Sequence, residues 1–331
     1  PEYKQVMATP IVAQLNDDNG DGLINNSDVA DVVVVTFKNG GHNNGVVRAL
    51  SGIDGSELWD YSQGAIMSDA SYSVAAADFD GDGIVEIVAS SRFEDFVSVI
   101  DHKGATKKQI AKANFGWITA SDIAIADIDN DGSLEFTLGD AIYNYDTGSL
   151  FNVDWSPTYT IFDSNNDGAQ EILTRGKLLD KNGAVLWSYT GESEVWFSSV
   201  ADIDNDGKPE VILSIPAFTT TSEKSRLVAL EANGNVKWEI NTDTTPGGGA
   251  QAISNFLDSD AMGIVHAGYT AVTMYDANGN TVWSIPHDDE WSGKQGVSAY
   301  DFNGDGIDEV IVQDNFKGRV LNGHNGEILS T

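Results

Sequence analysis

The sequence predicts an all-β protein, a seven-bladed β-propeller with four antiparallel strands per blade, and three observations carry the prediction. An acidic loop, Asp-x-Asp/Asn-x-Asp-Gly-x-x-Glu followed by a β-branched run, recurs along the chain. A second signal follows each loop: an apolar run, an Asn-Gly or Thr-Gly type turn, and a strand that often ends in Trp. No stretch sustains a helical period.

The fullest acidic loops run from Asp78 to Glu86, Asp127 to Glu135, Asp163 to Glu171, Asp202 to Glu210 and Asp301 to Glu309. A divergent first copy begins at Asp17-Asp18-Asn19-Gly20-Asp21-Gly22 and carries an insertion, Asn25-Asn26-Ser27-Asp28, before Asp31 and the strand Val32-Val33-Val34-Val35. A degenerate copy, sixth along the chain, lies near Asn255-Phe256-Leu257-Asp258-Ser259-Asp260, where the ligand positions have become Asn, Leu and Ser. The hairpin signal runs from Ala49-Leu50 to Trp59, Val97 to Ile110, Ile142 to Trp155, Leu178 to Trp187, Leu227 to Trp238, Val272 to Trp283 and Arg319 to Leu329. Asn182-Gly183, Asn233-Gly234, Asn278-Gly279 and Asn325-Gly326 suit tight hairpins because both residue types tolerate positive φ. Both signals count to seven.

Each repeat thus supplies a strand into the acidic loop, a strand out, and a hairpin. One blade cannot bury both of its faces, so seven close radially and remove most edges. A β-sandwich is the alternative, but it does not predict seven equivalent units. The repeats are expected to form one domain over 1–331, with approximate blades 1–62, 63–112, 113–152, 153–190, 191–241, 242–285 and 286–331.

Composition excludes several classes. The 331 residues hold no Cys, so disulfides, thiolate metal sites and cysteine nucleophiles are ruled out. A formal charge of -33, from 51 acids against 18 bases, repels nucleic acid and anionic membranes. No apolar run has the length of a membrane span. The opening Pro1-Glu2-Tyr3-Lys4 reads as the start of a processed or excised piece of a larger extracellular protein, secreted or on a bacterial cell surface.

The acids are clustered at fixed spacings. Carboxylates at positions 1, 3 and 5 of a tight loop can converge on a hard cation, Gly at position 6 allows the bend, and the acid at position 9 completes the shell. The expected ligand sets are Asp78, Asp80, Asp82 and Glu86; Asp127, Asp129, Asp131 and Glu135; Asp202, Asp204, Asp206 and Glu210; Asp163, Asn165, Asp167 and Glu171; and Asp301, Asn303, Asp305 and Glu309. In the first loop Asp17, Asn19 and Asp21 are joined by Asp28, at the spacing of a twelve-residue calcium loop, or alternatively by Asp31. Asp, Asn and Gly also make turns unaided, but six copies with acids at fixed offsets exceed what turning requires. Calcium suits all-protein oxygen cages better than magnesium, so about six structural Ca²⁺ ions are expected, with none in the sixth repeat. They would offset part of the 21 negative charges at the ligand positions of these six loops.

The loop and the strand after it, Val211-Ile212-Leu213, resemble the FG-GAP/VCBS repeat of integrin α-subunit heads and of many bacterial extracellular proteins. The Trp-ended hairpins also look like those of quinoprotein-type propellers, though the acidic loops favour the first family. The resemblance covers essentially the whole chain and implies a calcium-stabilised extracellular propeller serving adhesion or ligand binding; some carbohydrate lyases have similar propellers. The insertion at 23–30 and the sixth repeat depart from the pattern.

Strands that alternate in direction put the acidic loops and hairpin turns at one end of each blade. The second connections and the blade-to-blade crossovers lie at the other, where a ligand is expected. Trp117, Trp196 and Trp291 fall in crossovers beside polar or acidic residues, as sugar stacking or protein contact would require, with packing between blades as the alternative. Trp59, Trp155, Trp187, Trp238 and Trp283 recur at the hairpin position and read as blade packing. The five His show no zinc or triad spacing; His42 and His287 alone fall in loops of the expected ligand face. A binding module for a glycan or protein is preferred. The alternatives are a polysaccharide lyase or other carbohydrate-active enzyme domain, the lyase finding little cationic help in five Arg and so acidic a chain, and a structural spacer of a large adhesin.

Overall fold

The structure, a computed structural model, describes residues 5–6, 8–37, 45–61, 73–90, 95–113, 122–154, 156, 158–191, 195, 197–216, 225–242, 248–257, 261–289, 296–314 and 316–331. Among them it holds strands and no helix, arranged in seven antiparallel sheets of one topology. The chain is a seven-bladed β-propeller, as the repeats predict.

In each sheet four consecutive strands pair in chain order. Blade two is Ala75–Ala77, Glu86–Ser90, Phe96–Ile100 and Thr106–Ala111; blade five is Phe197–Ala201, Glu210–Ile215, Arg226–Leu230 and Val236–Asn241. Blade six runs from Ala252 to Pro286 and blade seven from Val297 to Ser330. In blade one the first strand comes in two pieces, Gln5–Val6 and Ile11–Ala13, both paired with Asp31–Phe37.

The second strands explain why the sequence reads as continuous β-branched runs. Glu86–Ser90, Glu135–Leu138, Glu171–Thr174, Glu210–Ile215 and Gly263–Ala267 are buried at every residue, because both faces of the sheet are covered. Alternate side chains serve alternate neighbours. Ile87 and Ala89 pack with Val33, Val47 and Ala49 of blade one, while Val88 packs with Phe136 and Tyr143 of blade three.

The chain forms two compact units, residues 1–161 with 181–183, and residues 162–180 with 184–331. In the first, the core lies between blades one and two and between blades two and three. In the second, Val211 and Leu213 meet Leu173 and Leu178, Ile212 meets Ile264, and Val265 and Met274 meet Val310 and Val312.

A repeated lock joins neighbouring blades. The third and fourth strands pair through a bulge in every blade, and in blades one to six the residue paired just before it meets the hairpin turn of the next blade. Four of these residues are Trp, and each indole Nε1 donates to a turn carbonyl: Trp59 to His102 at 2.9 Å, Trp187 to Ala232 at 2.9 Å, Trp238 to Ala277 at 2.8 Å and Trp283 to Gly323 at 2.7 Å. The turn glycine lies flat against the ring. A Cβ on Gly234, whose φ is +84°, would sit 2.7 Å from the Trp187 ring, so space and backbone conformation both require glycine there. In blade three Phe151 holds this place, against Gly183; Trp155, expected there from the sequence, lies outside the described residues. In blade two it is Lys108, whose ammonium sits 4.3 Å from the centre of the Tyr145 ring.

The lock predicts a graded loss. Trp238→Phe removes one half-buried hydrogen bond and should cost about 1 kcal/mol in chemical denaturation, whereas Trp238→Ala should cost about 3 kcal/mol. Equal stabilities for the two variants would contradict the hydrogen-bonded part of the lock.

Candidate functional site

The six acidic loops share one hydrogen-bond pattern. The position 1 Asp accepts from the amides of positions 5 and 6 in every copy; in the second loop Asp82 and Gly83 donate to Asp78 at 3.1 and 2.8 Å. The position 5 Asp accepts from the amide two residues on, as Asp82 does from Ile84 at 2.9 Å. Position 4 needs positive φ and is Gly in three loops and Asn in three, with Asn130, Asn166 and Asn205 near +60°. The sequence carries this signal as Gly or Asn ahead of the position 5 Asp.

The position 9 Glu opens the second strand and turns inward. Glu86, Glu135, Glu171, Glu210 and Glu309 are at most 3% exposed. Each accepts from the amide of position 2, for example Phe79 to Glu86 at 3.0 Å and Ile128 to Glu135 at 2.8 Å. These carboxylates gather with the others: ligand oxygens of Asp78, Asp80 and Glu86, of Asp127, Asp129 and Glu135, and of Asp202, Asp204 and Asp206 all lie within 4.8 Å of one another. The first two sets combine positions 1, 3 and 9, and the third combines positions 1, 3 and 5.

The field at each loop follows from this crowding. Burial pushes Glu135 and Glu210 above the usual carboxylate range, and the neighbouring Asp residues add to the shift. Backbone amides led by Gly168 and Gly306 hold Asp163 and Asp301 below it. Two loops also receive an ammonium. Lys107 Nζ lies 2.5 Å from Asp80, 2.7 Å from Glu86 and 3.5 Å from Asp82. Lys237 Nζ lies 2.7 Å from Asp204, 3.1 Å from Glu231 and 3.5 Å from Glu210. In the third loop a neutral donor stands in this role, Asn144 Nδ2 at 2.6 Å from Glu135. Sequence reasoning missed these three residues because they come from later strands of the blade.

The first loop divides the position 9 role between its two candidates. Asp31 opens the second strand opposite Ala13, as Glu86 does opposite Ala77, and it accepts from the amides of Leu15 and Gly52. Asp28 takes the amide of position 2, Asp18, at 3.2 Å, together with those of Asn19 and Asn25. The Asn25 amide, first among these donors, holds Asp28 below the usual range. In the sixth repeat Gly263 occupies the Glu position and the buried Phe256 fills the space beside it, with a Gly263 Cβ only 3.0 Å from that ring. Asp258, Ser259 and Asp260 lie outside the described residues.

Trp117, Trp196, Trp291 and His42, expected at the other end of the blades, also lie outside the described residues. His287 follows the last strand of blade six and is 6% exposed, with neither ring nitrogen partnered. Around it stand Asp288, Asp289, Asp314 and Arg319. Arg319 ties the second connection of blade seven to this crossover, donating to Asp314 at 2.5 Å and to the Pro286 carbonyl at 3.0 Å. Phe316, between them in sequence, is 75% exposed.

Burial lowers the His287 pKa, against the pull of Asp289 and Asp314. The folded state therefore resists a proton that the unfolded chain accepts near 6.5. Stability attributable to this group is intact above that value and is lost as pH falls from it toward the folded pKa. His287→Leu should flatten the acid limb of a stability–pH curve, by up to about 1.4 kcal/mol per pH unit. Wild type and variant curves of the same slope between about pH 7 and pH 5 would contradict this.

No family model matches the chain, the FG-GAP/VCBS repeat included, and no curated protein matches it. Solved structures do. The crystal structure of the V. cholerae biofilm matrix protein Bap1 is 37% identical, with a TM-score of 0.93 over 100% of this chain and 81% of that one. The exotype rhamnogalacturonan lyase YesX is 14% identical with a TM-score of 0.67, over 97% of this chain and 65% of that one. The Bacillus licheniformis rhamnogalacturonan lyase PL11 is 14% identical with a TM-score of 0.63, over 95% and 70%. The two lyases share the fold alone. By identity along its whole length, the chain belongs to the family of the V. cholerae biofilm matrix protein Bap1.

Proposed function

We propose that this chain is a calcium-stabilised adhesion module of a bacterial extracellular matrix, recognising a glycan or protein through the end of the blades opposite the acidic loops. The kinship with a biofilm matrix protein carries the adhesion reading. Among the described residues no helix is long and apolar enough to cross a membrane. The buried glutamates support the metal reading. A carboxylate shut off from water beside two or three other acids is costly unless a cation compensates it. Positions 1, 3, 5 and 9 offer the oxygen set that calcium takes, in the manner of the FG-GAP/VCBS repeat. The ions would act structurally, fixing where each second strand begins. The likeness to rhamnogalacturonan lyases is one of fold, so the lyase reading has no residue of its own to stand on.

For the ligand, the crossover and second-connection residues offer suitable chemistry. Phe316 gives an exposed aromatic face, and Arg319, held by Asp314, adds beside it a planar polar group of the kind that orients sugars, with His287 buried beneath. Trp117, Trp196 and Trp291 are proposed to extend this surface.

Two measurements test the proposal. Excess EGTA should lower the melting temperature by about 10 °C or more, and an unchanged transition would sink the calcium reading. On a glycan array and on matrix polysaccharide, Phe316→Ala, Trp196→Ala and Trp291→Ala should weaken binding by roughly tenfold or more. Full binding by all three would refute the placement of the ligand.

A further inference from the structure

The repeat supplies its own comparison for the two lysines that reach the acidic loops. One position in each blade, immediately before the residue paired at the fourth-strand bulge, is Leu58, Leu150, Leu186, Val282 or Leu329 in five blades. The last four of these are exposed aliphatic side chains. In blade two the same position is Lys107 and in blade five it is Lys237. An aliphatic residue is therefore the default at this place, and the lysines depart from it only beside loops that carry four acids.

Both ammonium groups are withdrawn from solvent, the side chains being 26% and 17% exposed. Lys107 meets the carboxylates of positions 3, 5 and 9 together, and Lys237 meets those of positions 3 and 9. These are oxygens that a divalent ion would use, and an ammonium has three N–H donors to share among them. Among the described residues, no Lys or Arg pairs with the acids of the loops that begin at Asp17, Asp127, Asp163 and Asp301. One added positive charge also brings these two four-acid ligand sets down to the net charge of a three-acid set, while the four-acid set of the loop that begins at Asp127 keeps its full charge.

We propose that Lys107 and Lys237 are tethered cations that hold the metal position of their loops. The six acidic loops then fall into two classes: four that depend on a free divalent cation, and two that the chain neutralises itself and that take calcium only by displacing the ammonium. This rests on the calcium reading above and adds to it an order of filling. Blades two and five keep their loop geometry when calcium is scarce, while the other loops respond to it.

The test uses the full chain, stripped with chelator and titrated with calcium chloride, with bound ions counted by native mass spectrometry and affinities taken from competition with a chromophoric chelator. Lys→Met keeps the apolar stem and removes the charge. Wild type should hold about four ions tightly, Lys107→Met and Lys237→Met about five each, and the double variant about six. In chelator each variant should melt below wild type, and calcium should raise its transition further than it raises that of wild type. A variant that folds only after calcium is added is the same result in extreme form. Lys108→Met, one residue away and directed at Tyr145, should hold the same number of ions as wild type, whatever the lost ring contact does to its melting. Six equally tight ions in wild type, or counts that the Met variants leave unchanged, would overturn the inference and leave the calcium reading standing. No bound ion in any variant would overturn both.

Discussion

Each acidic loop turns on a carboxylate that begins a strand from inside the protein. Glu86, Glu135, Glu171, Glu210 and Glu309 sit where the second strand leaves the loop, out of reach of water and beside two or three further acids. The amide of position 2 satisfies one oxygen, which fixes the loop's entry against its exit. It does not cancel the charge. A buried group of this kind is tolerated only with a compensating cation close by, and the loops meet that demand unevenly. Lys107 and Lys237 bring an ammonium, Asn144 and Asn303 bring only neutral amides to Glu135 and Glu309, and Ser164 brings a hydroxyl to Glu171.

The rest of each blade follows from where that strand begins. Once Glu86 or Glu210 is fixed, strict alternation sends odd and even residues of the strand to opposite neighbours, and the inter-blade cores fill in register. The hairpin beyond it is fixed in turn, because its bulge aims an indole at the turn of the next blade. The sixth repeat is the informative exception. It keeps the strand and the Trp283 lock while Gly263 takes the Glu position and Phe256 packs beside it, so an apolar plug can stand where the other repeats bury a carboxylate.

Much of this was legible in the sequence because the period is short and its marks are chemically sharp. The acidic loops, the seven sheets and the packing role of Trp59, Trp187, Trp238 and Trp283 all follow from residues close together in the chain. What escaped depends on register across strands. Phe151 rather than Trp155 holds the blade-three lock, since the bulge and not the residue type decides which side chain faces the turn. Asp28 and Asp31 share one role because the inserted turn separates the strand-opening position from the position 2 amide. Lys107 and Lys237 reach the acids only through the pairing of the third and fourth strands, which no local pattern marks. The crossover tryptophans could be named from sequence as an aromatic set, but no local pattern says what they meet.

The central claim is that buried strand-opening carboxylates oblige these loops to hold divalent cations. The most direct test is a crystal structure of the chain grown in calcium, with anomalous difference maps recorded at a wavelength where calcium scatters strongly. The account predicts peaks bounded by positions 1, 3, 5 and 9 in the loops that begin at Asp17, Asp127, Asp163 and Asp301, and no peak beside Phe256. Maps without peaks in those four loops, the carboxylates keeping the hydrogen bonds described above, would contradict it.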